Sequence, residues 1–109
     1  MNLIFKKKSY SFKLLNKLKN SKTTYLTKSG WIIKLTSNDE KIGFGEVSPL
    51  LEEELKKCAK QLNMIPEYIE EFNLSEQINI FHPCIQSAIN SALAEINGKI
   101  IFKENYYFD

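Results

Sequence analysis

The hydrophobic pattern of this 109-residue chain changes period at Ser48-Pro49, and no other feature restricts its fold as strongly. Before that point apolar and polar residues alternate, the two-residue repeat of a strand with one buried face. Tyr10, Phe12 and Leu14 alternate with Ser9, Ser11 and Lys13 within Ile4–Leu15. Trp31, Ile33 and Leu35 alternate with Ile32, Lys34 and Thr36, and Ile42–Val47 reads as a third strand with Gly43 and Gly45 on either side of Phe44. Ser37-Asn38-Asp39-Glu40 supplies turn chemistry between the second and third strands. Asn16–Thr27 is polar and predicts a long exposed loop between the first and second.

After Ser48-Pro49 the repeat becomes helical. Ser48 is placed to cap a helix and Pro49 to open it, since the first helical position needs no N–H donor. Glu52, Glu53 and Glu54 then precede Lys56, Lys57 and Lys60, the order that complements the helix dipole. Leu51, Leu55, Cys58, Ala59 and Leu62 form its apolar face, and a short helix is expected over Pro66–Phe72. The last helix is the clearest element. Pro83 opens it; Ile85, Ala88, Ile89, Ala92, Leu93 and Ile96 recur at helical spacing, and Asn97-Gly98 closes it. The fold class expected is therefore α+β, a three-stranded antiparallel meander followed by a helical segment. Beyond it, Ile100–Phe108 is apolar and aromatic up to Asp109, so the chain reads as unfinished.

Composition narrows the function classes. A chain of this length makes one domain with a modest core. Apolar runs such as Trp31–Ile33 are too short to span a bilayer, and no apolar stretch follows Lys6, Lys7 and Lys8 as in a secretory leader. Cys58 and Cys84 form no motif and suit reduced thiols, so a cytoplasmic location is expected. All 15 basic residues are lysine. Residues 1–41 carry ten of them against Asp39 and Glu40, a net +8, while residues 42–109 are net −6. A basic half can signal nucleic acid, but without arginine it lacks the fork that reads guanine and grips phosphate. A solvated sheet edge explains the lysines better, and neither a nucleic-acid nor a membrane partner is expected.

No catalytic constellation is visible. The single histidine, His82, precedes Pro83 and reads as a cap for the last helix. Glu46 is a lone carboxylate on a strand, better explained as a buried partner of a backbone N–H or a lysine than as a base. The glutamates at 52–54 are a solvated helix start, and both cysteines fit small core positions.

One segment is specific. Gly43-Phe44-Gly45-Glu46-Val47-Ser48-Pro49-Leu50 resembles the Gly-aromatic-Gly-Glu-aliphatic-small-Pro-Leu signature of o-succinylbenzoate synthases and related enolase-superfamily enzymes. Thr27-Lys28-Ser29-Gly30 before Trp31–Leu35 is similar to that family's polar-Gly turn and second strand. His82-Pro83 through Ser91-Ala92-Leu93-Ala94-Glu95-Ile96 is similar to its Pro-led helix, and Asn105-Tyr106 resembles the approach to its first barrel strand. Only Gly43–Leu50 and Ser91–Ile96 are individually specific.

The resemblance implies an N-terminal capping domain over residues 1–105, with 106–109 starting the linker into a (β/α)₈ barrel. In that family the barrel dehydrates 2-succinyl-6-hydroxy-2,4-cyclohexadiene-1-carboxylate to o-succinylbenzoate on the way to menaquinone or phylloquinone. Barrel lysines and a carboxylate-held Mg²⁺ perform the chemistry, so this chain alone would be incompetent. The capping domain supplies lids over the barrel mouth. Here these would be the Asn16–Thr27 loop, with Lys22, Thr23, Thr24 and Tyr25, and the Ser48–Leu51 turn, with Ser48, Pro49 and Leu50 against the small-molecule substrate. Leu51-Glu52-Glu53 follow at once where relatives carry Pro-Gly-Phe-Ser-like residues, so the second lid is shorter. Two other readings remain open. N-succinylamino acid racemases, dipeptide epimerases and muconate cycloisomerases share such a domain, and a stand-alone module binding an anionic partner through the basic meander is the third.

Overall fold

A computed structural model describes residues 1–17 and 23–98, with side chains described outside 14–26. The chain is α+β. Strands β1 (Asn2–Lys17), β2 (Thr23–Ser37) and β3 (Ile42–Val47) are followed by helix α1 (Glu52–Asn63). Strand β4 (Tyr68–Glu70), helix α2 (Glu71–Gln77), a 3₁₀ turn (Ile78–Ile80) and helix α3 (Pro83–Ile96) complete the described residues. The sheet is antiparallel in the order β3-β2-β1-β4. It therefore holds four strands where the alternation predicted three.

One sheet face is covered by helices and the other faces solvent, the arrangement that an apolar–polar alternation serves. Leu3 and Phe5 of β1, Ile33 and Leu35 of β2 and Val47 of β3 are buried on the covered face. Against them lie Cys58 and Leu62 of α1, Leu74 of α2, and Ile85, Ala88, Ile89, Ala92 and Ile96 of α3. Each isoleucine of α3 contributes roughly 1.5–3 kcal/mol when fully buried.

The contact between α3 and β3 is the closest. Gly43 and Gly45 face the carbonyls of Ala92 and Ala88, and a methyl group added at either glycine would run into those backbone oxygens. The spacing explains the fit. Two strand residues advance about 6.6 Å and four helical residues about 6.0 Å, so two glycines meet two alanines in step. Between them the Phe44 N–H, on the open edge of β3, donates to Glu95 Oε1 at 2.8 Å. A carboxylate there satisfies a donor that would otherwise invite a further strand.

The structure departs from the sequence reading at several places, the first being that Tyr10 and Phe12, whose alternation predicted a buried face, lie on the open one. The expected Asn16–Thr27 loop is mostly strand, because Asn16 pairs with Thr24 and Lys17 with Thr23. Threonine and tyrosine favour strands even when too polar to advertise one; residues 18–22 lie outside the described residues. Gly30 is likewise not in a turn but inside β2, opposite Tyr10. The helix expected over Pro66–Phe72 is β4 and the start of α2. There Leu3 pairs with Ile69, the Ile69 side chain enters the core, and Glu71 N–H donates to Met1 O at 2.9 Å. The open edge of β1 thus outweighs local preference. Finally, α1 begins at Glu52 with Leu51 as its uncapped N-cap residue, so Ser48 does not cap it and Pro49 is not its first residue. Glu52, Glu53 and Glu54 in the first turn offset the missing cap through the helix dipole.

Other expectations hold in detail. β3 has the bounds read from sequence, and Gly98 ends α3 with φ of 69°. His82 is the N-cap of α3, its Nδ1 accepting the Cys84 N–H at 3.1 Å, with Pro83 in the first turn. The expected domain limit at 105 and linker at 106–109 lie outside the described residues.

Gly45→Ala is expected to lower stability by about 3 kcal/mol or more, since backbone carbonyls cannot turn aside from the new methyl. Gly98→Ala meets open space and only a left-handed backbone, so about 1–2 kcal/mol is expected. Urea midpoints of the two variants provide the check, and equal losses would contradict the close-packing account.

Candidate functional site

On the solvent-facing side of the sheet, three strands converge on one polar cluster. Tyr10 of β1, Lys28 and Gly30 of β2, and Glu46 of β3 share this face, with Ser48 directly after β3. Gly30 makes the convergence possible. Tyr10 lies opposite it, and a side chain at residue 30 would occupy the space that the Tyr10 phenol takes. The tyrosine therefore reaches across β2, and its hydroxyl donates to Glu46 Oε2. Lys28 Nζ lies 3.8 Å from the same oxygen, with both side chains nearly half exposed. The Tyr10 ring stacks against Phe12, centroids 5.8 Å apart.

The electrostatics follow from these contacts. Burial, then the hydrogen bond to Glu46 and its negative charge, push the Tyr10 phenol up to about 12. The Ser48 hydroxyl, hydrogen-bonded to the same phenol, acts in the opposite sense. Tyr10 is therefore a neutral donor at any physiological pH and no general base. Glu46 is half exposed rather than buried, although the expected lysine partner is there. Its other partner, a phenol from two strands away, was not legible.

The turn beside this cluster carries three of the residues singled out in the sequence. Pro49 is buried, Ser48 half-buried and Leu50 is 95% exposed; Leu51 is 59% exposed. Lys22 lies outside the described residues. Thr23, Thr24 and Tyr25 lie on β2 opposite Lys17, Asn16 and Leu15, and only their backbone is described. Tyr25 is five residues from Gly30 along β2, about 16 Å. The two expected lid elements are thus not adjacent among the described residues.

The remaining chemistry-bearing groups are structural. Burial, Cys84 and Glu54 push the Cys58 thiol up to about 11, which keeps it protonated and unreactive at neutral pH. His82 Nε2 lies 3.8 Å from Glu54 Oε2, while the His82 N–H donates to Gln61 Oε1 at 2.6 Å. This ties α3 to α1. A concavity of about 420 Å³ opens at the other end of the sheet between Ile4, Asn38 and Tyr68, with Glu70 as its one carboxylate. It brings no acid–base pair together. Among the described residues no group of three or more His, Cys, Asp or Glu is placed to hold a metal ion. Nor is any helix among them long and apolar enough to cross a membrane.

Compared with family models, with curated proteins and with solved structures, the chain matches none.

Because the fold favours the neutral phenol, the stabilisation from Tyr10 is complete below pH 10 and is lost as pH rises towards about 12. Ultraviolet titration of the five tyrosines is expected to show one ionising near pH 12. Tyr10→Phe should remove that step and Glu46→Gln should lower it. A highest step unmoved by Glu46→Gln would contradict the assignment.

Proposed function

We propose that this chain is the N-terminal capping domain of an o-succinylbenzoate synthase of the enolase superfamily. Its part would be to close over a (β/α)₈ barrel in a cytoplasmic, Mg²⁺-dependent lyase. The observation that carries the reading is the meeting of the two family-like segments. Gly43–Leu50 and Ser91–Ile96 lie far apart in sequence, yet Gly43 abuts Ala92 and Phe44 N–H donates to Glu95. Residues shared between a strand signature and a helix signature are explained if the pair forms one packing unit of the family's capping domain.

In this reading the chain's own residues bind and exclude water rather than transfer protons. Leu50, almost fully exposed beside a buried Pro49, is the apolar contact that shields a substrate side chain when the domain closes. Lys22, Thr23, Thr24 and Tyr25 are the candidates for the other rim. Mg²⁺, bound by barrel carboxylates, would stabilise the enediolate charge. The described residues of this chain do not fit a site for it.

The test is turnover of 2-succinyl-6-hydroxy-2,4-cyclohexadiene-1-carboxylate. The 109-residue chain alone is expected to convert none, and the polypeptide joining it to the barrel to form o-succinylbenzoate only with Mg²⁺. Leu50→Ala in the joined polypeptide should lower kcat/KM by about tenfold, as loss of a buried apolar contact does. Dehydration by the chain alone, or racemisation, epimerisation or cycloisomerisation in place of dehydration by the joined form, would overturn the assignment.

A further inference from the structure

We propose that Tyr10 is a positioning residue for the lid turn: its hydroxyl, reaching through the gap at Gly30, braces Ser48 and Glu46 and so fixes how Leu50 meets substrate. This rests on the lid reading above and assigns the brace to residues outside both family-like segments.

The turn needs such a brace. Leu50 and Leu51 are largely exposed, and α1 starts without a side-chain cap, so beyond the buried Pro49 neither core packing nor helix capping orders the path to Glu52. Val47 and Pro49 anchor it from the covered face. On the open face the Tyr10 hydroxyl meets the Ser48 side chain and also binds Glu46 two residues earlier. Holding residues 46 and 48 from one atom fixes their relative orientation, because alternate strand residues project to the same face.

The brace is itself held. Phe12 stacks against the Tyr10 ring with the planes 26° apart, which limits ring rotation. Glu46 is drawn towards Lys28, but that exposed pair adds little alone. Gly30 is the permissive element. Any side chain there would lie where the phenol and the Val47 carbonyl now are. The arrangement therefore needs Tyr10, Gly30 and Ser48 together, one from each strand or its end.

Kinetics of the joined polypeptide test the role. Tyr10→Phe keeps the ring and removes the hydroxyl; it is expected to raise KM by about tenfold, the effect of one lost hydrogen bond, with kcat within about twofold. Ser48→Ala should raise KM similarly, and the double variant no further, since both cut the same link. Unchanged KM in Tyr10→Phe, a fall confined to kcat, or KM effects that multiply in the double variant overturns the positioning role while leaving the lid reading intact. A joined wild-type polypeptide without dehydratase turnover overturns the lid reading and the positioning role with it.

Discussion

The backbone of α3 lies directly against β3, and the other layers take their places from that contact. Gly43 and Gly45 remove the side chains that would hold helix and strand apart, and Ala88 and Ala92 answer them. With the helix fixed at this depth, Ile85 and Ile89 join Ile33 and Leu35 in one buried cluster. Glu95 completes the seam by accepting the Phe44 N–H, so the strand edge is closed by its own helix. The His82 contacts with Gln61 and Glu54 then tie the start of the same helix to α1. Packing depth at two glycines thus propagates through α3 to α1.

The sheet separates two kinds of work by face. Its covered side is apolar and close-packed. Its open side carries lysines, aromatic rings and the Tyr10–Glu46 pair, linked across strands rather than along them. β1 pairs with β4 only over Asn2–Ile4, which leaves the edge beyond it carrying Lys6, Lys7 and Lys8. Lysines on an unpaired edge resist addition of another strand. This accounts for Lys6, Lys7 and Lys8 in the basic first half of the chain.

The elements legible in the sequence were those whose pattern and packing agree. β3 and α3 came out with correct bounds because alternation, Pro83 and Gly98 each reflect a local cause that the fold retains. β4 was illegible because a three-residue strand is decided by the open edge of β1, not by Tyr68-Ile69-Glu70 itself. The extension of β1 and β2 past Asn16 and Thr24 was hidden for a different reason. Ser11, Phe12 and Lys13 are all exposed, so the hairpin already lies beyond the helical layer there and no apolar repeat is required of it. In the candidate site, Glu46 and Ser48 were visible as motif members, but Tyr10 was not. Its role depends on register, and only the pairing of Tyr10 with Gly30 reveals that a glycine inside a strand is making room for a phenol.

That exposed hairpin has a mechanical consequence. It is a cantilever whose root is the three-strand junction at Gly30 and whose arm extends about 16 Å to Tyr25. A tilt of about 5° at the root displaces the backbone at Tyr25 by about 1.4 Å on this lever length. Leu50, close to the pivot, would scarcely move under the same rotation. Two parts of one sheet therefore differ in mechanical gain, with the Tyr10 hydroxyl sitting at the fulcrum.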